Sequence, residues 1–210
     1  MATLINPTEE HIIIEGVSWT TYECLLADFG DNRAARVAYD QGTLEIMAPS
    51  YQHERLKGLL TTLFEAIATG LDLDFENAGS TTFKREDTAR GFEPDACFYV
   101  QQAAAVRGKQ RLDLATDPPP DLVVEVDITH PSLGKLPLYA ASGVMEVWRC
   151  DGYQIHMHGL LDGQYALVET SAVLPGVSHA DINQLLDLHA EMTRAGWIRH
   201  IQAWAQSLRP

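Results

Sequence analysis

Asp121-Leu-Val-Val-Glu-Val-Asp-Ile-Thr129, with Ser132-Leu-Gly-Lys135 and Tyr139-Ala-Ala-Ser-Gly-Val-Met-Glu-Val-Trp148 after it, is the stretch whose reading decides the fold. Leu122, Val123, Val124, Val126 and Ile128 form a nearly continuous aliphatic run, the pattern of a strand covered on both faces inside an α/β sheet. Glu125 and Asp127 interrupt it two residues apart, so both side chains leave the same face. A carboxylate in a buried strand is costly unless something compensates it, and a divalent cation is the usual compensation. Lys135 opens a predicted helix from which its amine can lean back over the same strand end. That helix runs through Leu136, Tyr139 and Ala140 to Gly143, and Met145 to Cys150 reads as the next strand. The connection length makes this a β-α-β unit with parallel strands.

Upstream, His11 to Glu15 reads as a short strand and Ser18 caps a helix that ends at Gly30. Ala34–Tyr39 and Thr43–Met47, with Asp40-Gln-Gly42 between them, read as a hairpin. Pro49 and Ser50 start a long helix in which Leu56, Leu59, Leu60, Leu63, Phe64 and Ile67 make one apolar stripe. His53 lies on that stripe, aimed at the core side, and Glu54 one step round faces solvent. Three further strands follow Gly70; the last spans Phe92 to Val100, with Pro94 postponing the strand proper to Asp95, a carboxylate where the sheet opens. Downstream of Trp148, segments Tyr153–His158 and Tyr165–Glu169 read as a meander, with helices from Ser178 to Ala190 and from Ala195 to Leu208.

The whole chain has 210 residues, 46% of them hydrophobic, which suits one domain over 1–210 with a C-terminal helical extension. No run is long enough to span a membrane and the first residues lack a basic, apolar leader, so the expected location is cytoplasmic. Cys24, Cys97 and Cys150 are odd in number and scattered, which predicts buried, reduced thiols rather than disulfides or a thiolate zinc site. A net charge of −14 argues against a broad electrostatic grip on nucleic acid, although Lys84-Arg85, Arg90 and Arg107-Gly-Lys-Gln-Arg111 flank the candidate site.

Asp95, Glu125 and Asp127 with Lys135 form the leading chemical constellation. Hard oxygen ligands of this kind suit Mg²⁺ or Mn²⁺, which keep waters and accept substrate phosphate as a further ligand. His156-x-His158, with His53 or His179, is a lesser candidate for zinc or iron. No Gly-x-Ser-x-Gly, Cys-x-x-Cys or Walker-type phosphate loop occurs.

Pro94-Asp95, Glu125-x-Asp127, Lys135, Tyr139, Gly143-Val144 and Glu146-Val-Trp148 together resemble the Uma-type family of restriction-endonuclease-like proteins, within the PD-(D/E)XK nuclease superfamily. The resemblance covers nearly the whole chain. It implies a mixed sheet flanked by helices (α/β, α+β mixed), Mg²⁺-dependent hydrolysis of DNA phosphodiesters, and frequent homodimers. In the superfamily pattern a lysine stands two residues after the acid; here Asp127 occupies that position, and Lys135 supplies the migrated amine. His53 matches the helix-borne polar residue. Two functions follow. One is a metal-dependent DNA endonuclease, with Asp95, Glu125 and Asp127 toward the ion, Lys135 supporting the nucleophile and His53 orienting a ligand or water. The other is a non-catalytic binding or assembly module on a nuclease-like scaffold. Trp148, Trp197, Ile201 and Trp204 offer more apolar surface than a chain this size easily hides, which predicts a homodimer.

Overall fold

The computed structural model describes residues 10–30, 35–128 and 134–209; the expectations resting on Ala34, Thr129 and Ser132 fall outside them. The chain starts with β1 (Glu10–Ile14) and α1 (Trp19–Phe29), whose N-terminal cap is Ser18. The hairpin β2 (Arg36–Asp40) and β3 (Thr43–Ala48) turns through Gln41 and Gly42, both at positive φ, as a two-residue hairpin loop requires. Ser50 then caps α2 (Tyr51–Leu71), its hydroxyl accepting the His53 amide at 3.2 Å. Four short strands follow: β4 (Glu76–Asn77), β5 (Phe83–Arg85), β6 (Arg90–Phe92) and β7 (Ala96–Tyr99). After the single turn α3 (Ala103–Val106) comes β8 (Leu122–Val126), then α4 (Lys135–Ser142), which Gly143 ends in the left-handed conformation. The meander β9 (Glu146–Cys150), β10 (Ile155–Leu161) and β11 (Gln164–Leu167) leads to α5 (His179–Asp187) and α6 (Arg194–Gln206).

Among the described residues the strands divide between two sheets. One has the order β11-β10-β9-β8-β7-β4, with β8 and β9 parallel and the other neighbours antiparallel. The other has the order β1-β3-β2-β6-β5 and is antiparallel throughout. Within Phe92 to Val100 the strand proper starts only after Pro94, as expected, and Phe92 itself belongs to a separate strand. β6 ends at Phe92 in one sheet and β7 begins at Ala96 in the other, because Pro94 lacks the N–H that a continuous ladder would need.

The central strands β7, β8 and β9 of the six-stranded sheet are buried on both faces, as the aliphatic run of β8 requires. Leu122, Val124 and Val126 pack with the stripe of α2 and with α5 and α6. Val123 packs on the opposite side with Leu138 and Tyr139 of α4, and with Phe83 and Phe92 of the second sheet. Gly70 brings α2 and α6 together so closely that an added Cβ would stand 2.6 Å from Ala205 Cβ.

Two expectations fail. Trp148, Trp197 and Ile201 are fully buried and Trp204 is half-buried in the same core, so the apolar surface assigned to a dimer contact is internal. Cys24 is exposed, because α1 presents that face to solvent, whereas Cys97 and Cys150 are buried.

Candidate active site

Strand parity and one helix cap bring the candidate residues together. The odd residues Val123 and Glu125 of β8 share the face toward α4 and the second sheet. Asp95 stands immediately before β7, the antiparallel neighbour of β8, and its Oδ2 accepts the Val126 amide at 2.8 Å. Its Oδ1 meets His53 Nε2 at 2.8 Å, with both side chains wholly removed from solvent. His53 therefore reaches the acid from the core face of α2, as its place on the apolar stripe implies.

Glu125 is gripped by α4. Lys135 Nζ donates to Oε2 at 2.6 Å, and the Tyr139 hydroxyl donates to Oε1. Lys135 and Tyr139 are one helical turn apart, so both project from one side of α4 onto one carboxylate. Tyr139 is fixed further by an edge-to-face contact with Phe92, ring centroids 4.9 Å apart. Lys135 thus supplies an amine at the strand end, where the sequence placed it.

Asp127 takes another course. It has the parity of Glu125 but lies just beyond the end of β8. In the parallel register Arg149 is the neighbour of Glu125, and its guanidinium binds Asp127 Oδ2 through Nε at 2.8 Å and a terminal nitrogen at 2.7 Å. Asp127 accordingly contributes its charge beside Glu125 while its carboxylate is engaged by Arg149. Among the described residues no three His, Cys, Asp or Glu side chains stand together where they could enclose a metal, and this covers the histidines of β10 as well.

Burial and charge oppose one another throughout the site. Desolvation pushes the Glu125 carboxyl up to about 7, Lys135 offsetting part of the rise while Asp95 and Asp127 add to it. Burial would raise Asp95 too, but the His53 hydrogen bond, the Lys135 charge and the Val126 amide hold it below the ordinary carboxylate range. Burial alone would lower Lys135; the carboxylates of Glu125, Asp95 and Glu45 outweigh it and keep the ammonium firmly charged. Tyr139 is driven far above the ordinary phenol range by burial and by Glu125, so its hydroxyl remains a donor.

A narrow cleft opens beside Lys135 toward the second sheet. Glu45 and Glu93, both buried, line it. Glu45 Oε1 pairs with His11 Nδ1 at 2.8 Å, and Glu93 accepts the Val37 amide at 3.0 Å and the Thr82 hydroxyl at 2.5 Å. The roles of Tyr139, Arg149 and Glu45 were missed in the sequence. The four-residue spacing of Lys135 and Tyr139 signals the first, and the β-α-β register signals the second; nothing local signals Glu45.

A mixed sheet with α2, α5 and α6 on one face and α4 with the second sheet on the other is a restriction-endonuclease-like fold. Residues 19–191 match Uma2, described as "Putative restriction endonuclease", and the chain belongs to that family. The solved structure of a putative nuclease belonging to DUF820 from Anabaena variabilis is similar at a TM-score of 0.56 and 9% identity, covering 81% of this chain and 99% of that one. At that identity the likeness concerns the fold. No curated protein matches the chain. Among the described residues no helix is long and apolar enough to cross a membrane.

Proposed function

We propose that the chain is a metal-dependent DNA endonuclease that hydrolyses phosphodiester bonds with Mg²⁺ or Mn²⁺ held by Asp95 and Glu125. The observation that carries this reading is that two acids stand at the ends of neighbouring strands, Asp95 bound to His53 and the Val126 amide and Glu125 bound to the charged amine of Lys135. A small hard cation commonly binds through one or two carboxylates and fills its remaining positions with water and substrate phosphate. Each carboxylate oxygen of Asp95 and Glu125 has one hydrogen-bond donor and a second lone pair, so the donor set fits such an ion.

When bound, the ion supplies charge neutralisation and a more acidic water at neutral pH. The protein's own groups do the rest. Lys135 stabilises negative charge developing on the phosphate and supports the nucleophile. Tyr139 fixes the rotation of the Glu125 carboxylate, and His53 fixes that of Asp95. Asp127 assists at one remove, through water or through Arg149. The test is Mn²⁺- or Mg²⁺-dependent nicking of supercoiled plasmid by the wild type, with Asp95→Asn and Glu125→Gln inactive. Wild type that leaves the plasmid intact at every metal concentration rejects the reading.

One observation favours the second reading, a non-catalytic binding or assembly module on the same scaffold. The basic clusters are engaged by acids: Lys84 with Glu23, Arg90 with Asp40, Arg107 with Asp74 and Glu76, and Lys109 with Asp117. The plasmid assay separates the two readings. We place the protein in the cytoplasm as a homodimer, its contact being the exposed Ile12, Ile13 and Ile14 of the edge strand β1 rather than the tryptophans. A monomer mass by light scattering at tens of micromolar rejects the dimer.

A further inference from the structure

We infer that Arg36 is a phosphate-binding residue, gripping a backbone phosphate of the nucleic-acid strand in the cleft beside Lys135. That the phosphate belongs to nucleic acid rests on the nuclease reading; that the site takes a phosphate rests on the geometry of Arg36.

Arg36 begins β2 and lines the same cleft as Lys135, Glu45 and Glu93. Its side chain is 13% exposed, yet the guanidinium's contact is weak, one terminal nitrogen 3.5 Å from Glu54 Oε1. Glu54 is itself 44% exposed and shared with Lys57 at 3.4 Å. The Nε–H of Arg36 is buried without a hydrogen-bond partner among the described residues. Other cations near the site are held far more tightly: Arg149 sits 2.7 Å from Asp127, Arg90 2.9 Å from Asp40 and Lys135 2.6 Å from Glu125.

The acids around Arg36 are oriented by other groups. Glu93 accepts from Val37 and Thr82, and Glu45 pairs with His11. A guanidinium whose Nε and terminal N–H groups form a planar fork matches two phosphate oxygens at once, and it stays charged at any working pH. A buried N–H left without a partner carries a desolvation penalty that an incoming anion relieves. Arg36 thus combines position in the cleft, permanent charge and an unfilled donor. Its wall of the cleft is built by β2 and β3, so it meets a substrate from the side opposite the helix that carries Lys135.

The test measures inorganic phosphate binding by calorimetry and binding of a short DNA duplex by fluorescence anisotropy, for wild type, Arg36→Met and Arg36→Lys. The methionine keeps the apolar stem, so the fold is retained, which the melting temperature checks. The Mn²⁺-induced thermal shift reports separately on Asp95 and Glu125. Arg36→Met should weaken phosphate binding about tenfold or more and reduce the salt dependence of duplex binding by about one charge, with Arg36→Lys intermediate and the Mn²⁺ shift unchanged. Equal phosphate binding by wild type and Arg36→Met, or no phosphate binding by wild type, overturns the assignment and leaves the nuclease reading untouched. Phosphate binding that depends on Arg36 in a protein with no Mn²⁺ shift and no nicking upholds the assignment and removes the nuclease reading instead.

Discussion

Asp95 Oδ2 accepts the backbone amide of Val126 at 2.8 Å, which ties the acid before β7 to the residue next to Glu125 on β8. The spacing of the two acids is therefore set by the main chain of the sheet. Side-chain rotamers adjust only how the oxygens face.

An ion held by this pair would bind the native state alone, so under the proposed reading it should stabilise the fold by mass action. Millimolar Mn²⁺ or Mg²⁺ is expected to raise the melting temperature by a few degrees near neutral pH. Glu125→Gln should abolish the shift while the protein stays folded, because it keeps the side-chain volume and removes the buried charge. Scanning calorimetry with and without metal measures both; equal shifts in the two proteins sink the ion site.

Proton linkage at Glu125 gives a second expectation. Its carboxyl titrates near 4.5 when unfolded and about 7 when folded, so between those values the folded state holds a proton that the unfolded state lacks. Stability of the metal-free protein should therefore fall as pH rises from about 4.5 to 7, by at most about 1.4 kcal/mol per pH unit from this group. Asp95 acts in the opposite sense: its lowered folded pKa contributes stability above 3.8 that is lost as pH falls below it. The metal-induced gain should grow as pH rises toward 7, since metal displaces the Glu125 proton. Urea unfolding across this range, with Glu125→Gln flattening the slope, checks it.

His53→Ala should cost about 3 kcal/mol, because it strips the side-chain partner from an acid with no access to water. It should also lower nicking more than metal binding, since the amide of Val126 still holds one oxygen of Asp95. Urea midpoints and the Mn²⁺ concentration dependence of cleavage distinguish the two effects.

Lys135→Met should reduce the rate of nicking about 100-fold or more, the scale of losing one charged donor in a dry site. Tyr139→Phe should cost about 1–3 kcal/mol of stability by removing a hydrogen bond to buried Glu125, while keeping the contact with Phe92. Single-turnover cleavage and urea unfolding read the two outcomes.

Gly70→Ala should destabilise the chain by about 1–3 kcal/mol, because the new methyl would meet the Gln202 carbonyl oxygen at 2.8 Å as well as Ala205. Unchanged urea midpoints would mean that α2 and α6 can separate freely.

Much of this fold is legible in the sequence wherever the signal is local. Ser18, Ser50 and Ser178 cap the helices they were expected to cap, and Gly143 ends α4. Asp95, Glu125, Lys135 and His53 were readable because an acid in an aliphatic strand, or a polar ring on an apolar stripe, is conspicuous. What escaped reading depends on partners far along the chain. Strand parity put Asp127 beside Glu125, but only the parallel register with β9 reveals that Arg149 is waiting for it. Trp148 and Trp197 looked surplus because the apolar volume between α2, α5 and α6 is not visible from their own neighbourhoods. Arg36 had no marker at all, as an arginine at the start of a strand is ordinary until its unfilled Nε is seen.

Glu93, Pro94 and Asp95 give the molecule a mechanical gauge. Glu93 is hydrogen-bonded into the antiparallel sheet through Val37, and Asp95 into the mixed sheet through Val126. Three residues span at most about 10 Å, so the two sheets cannot slide apart without pulling on one of these acids. Anything that wedges the sheets, whether a bulky residue near Thr82 or a molecule pushed into the cleft, is transmitted to the Asp95 carboxylate as displacement. The crossing links the spacing of two layers to the aim of one carboxylate.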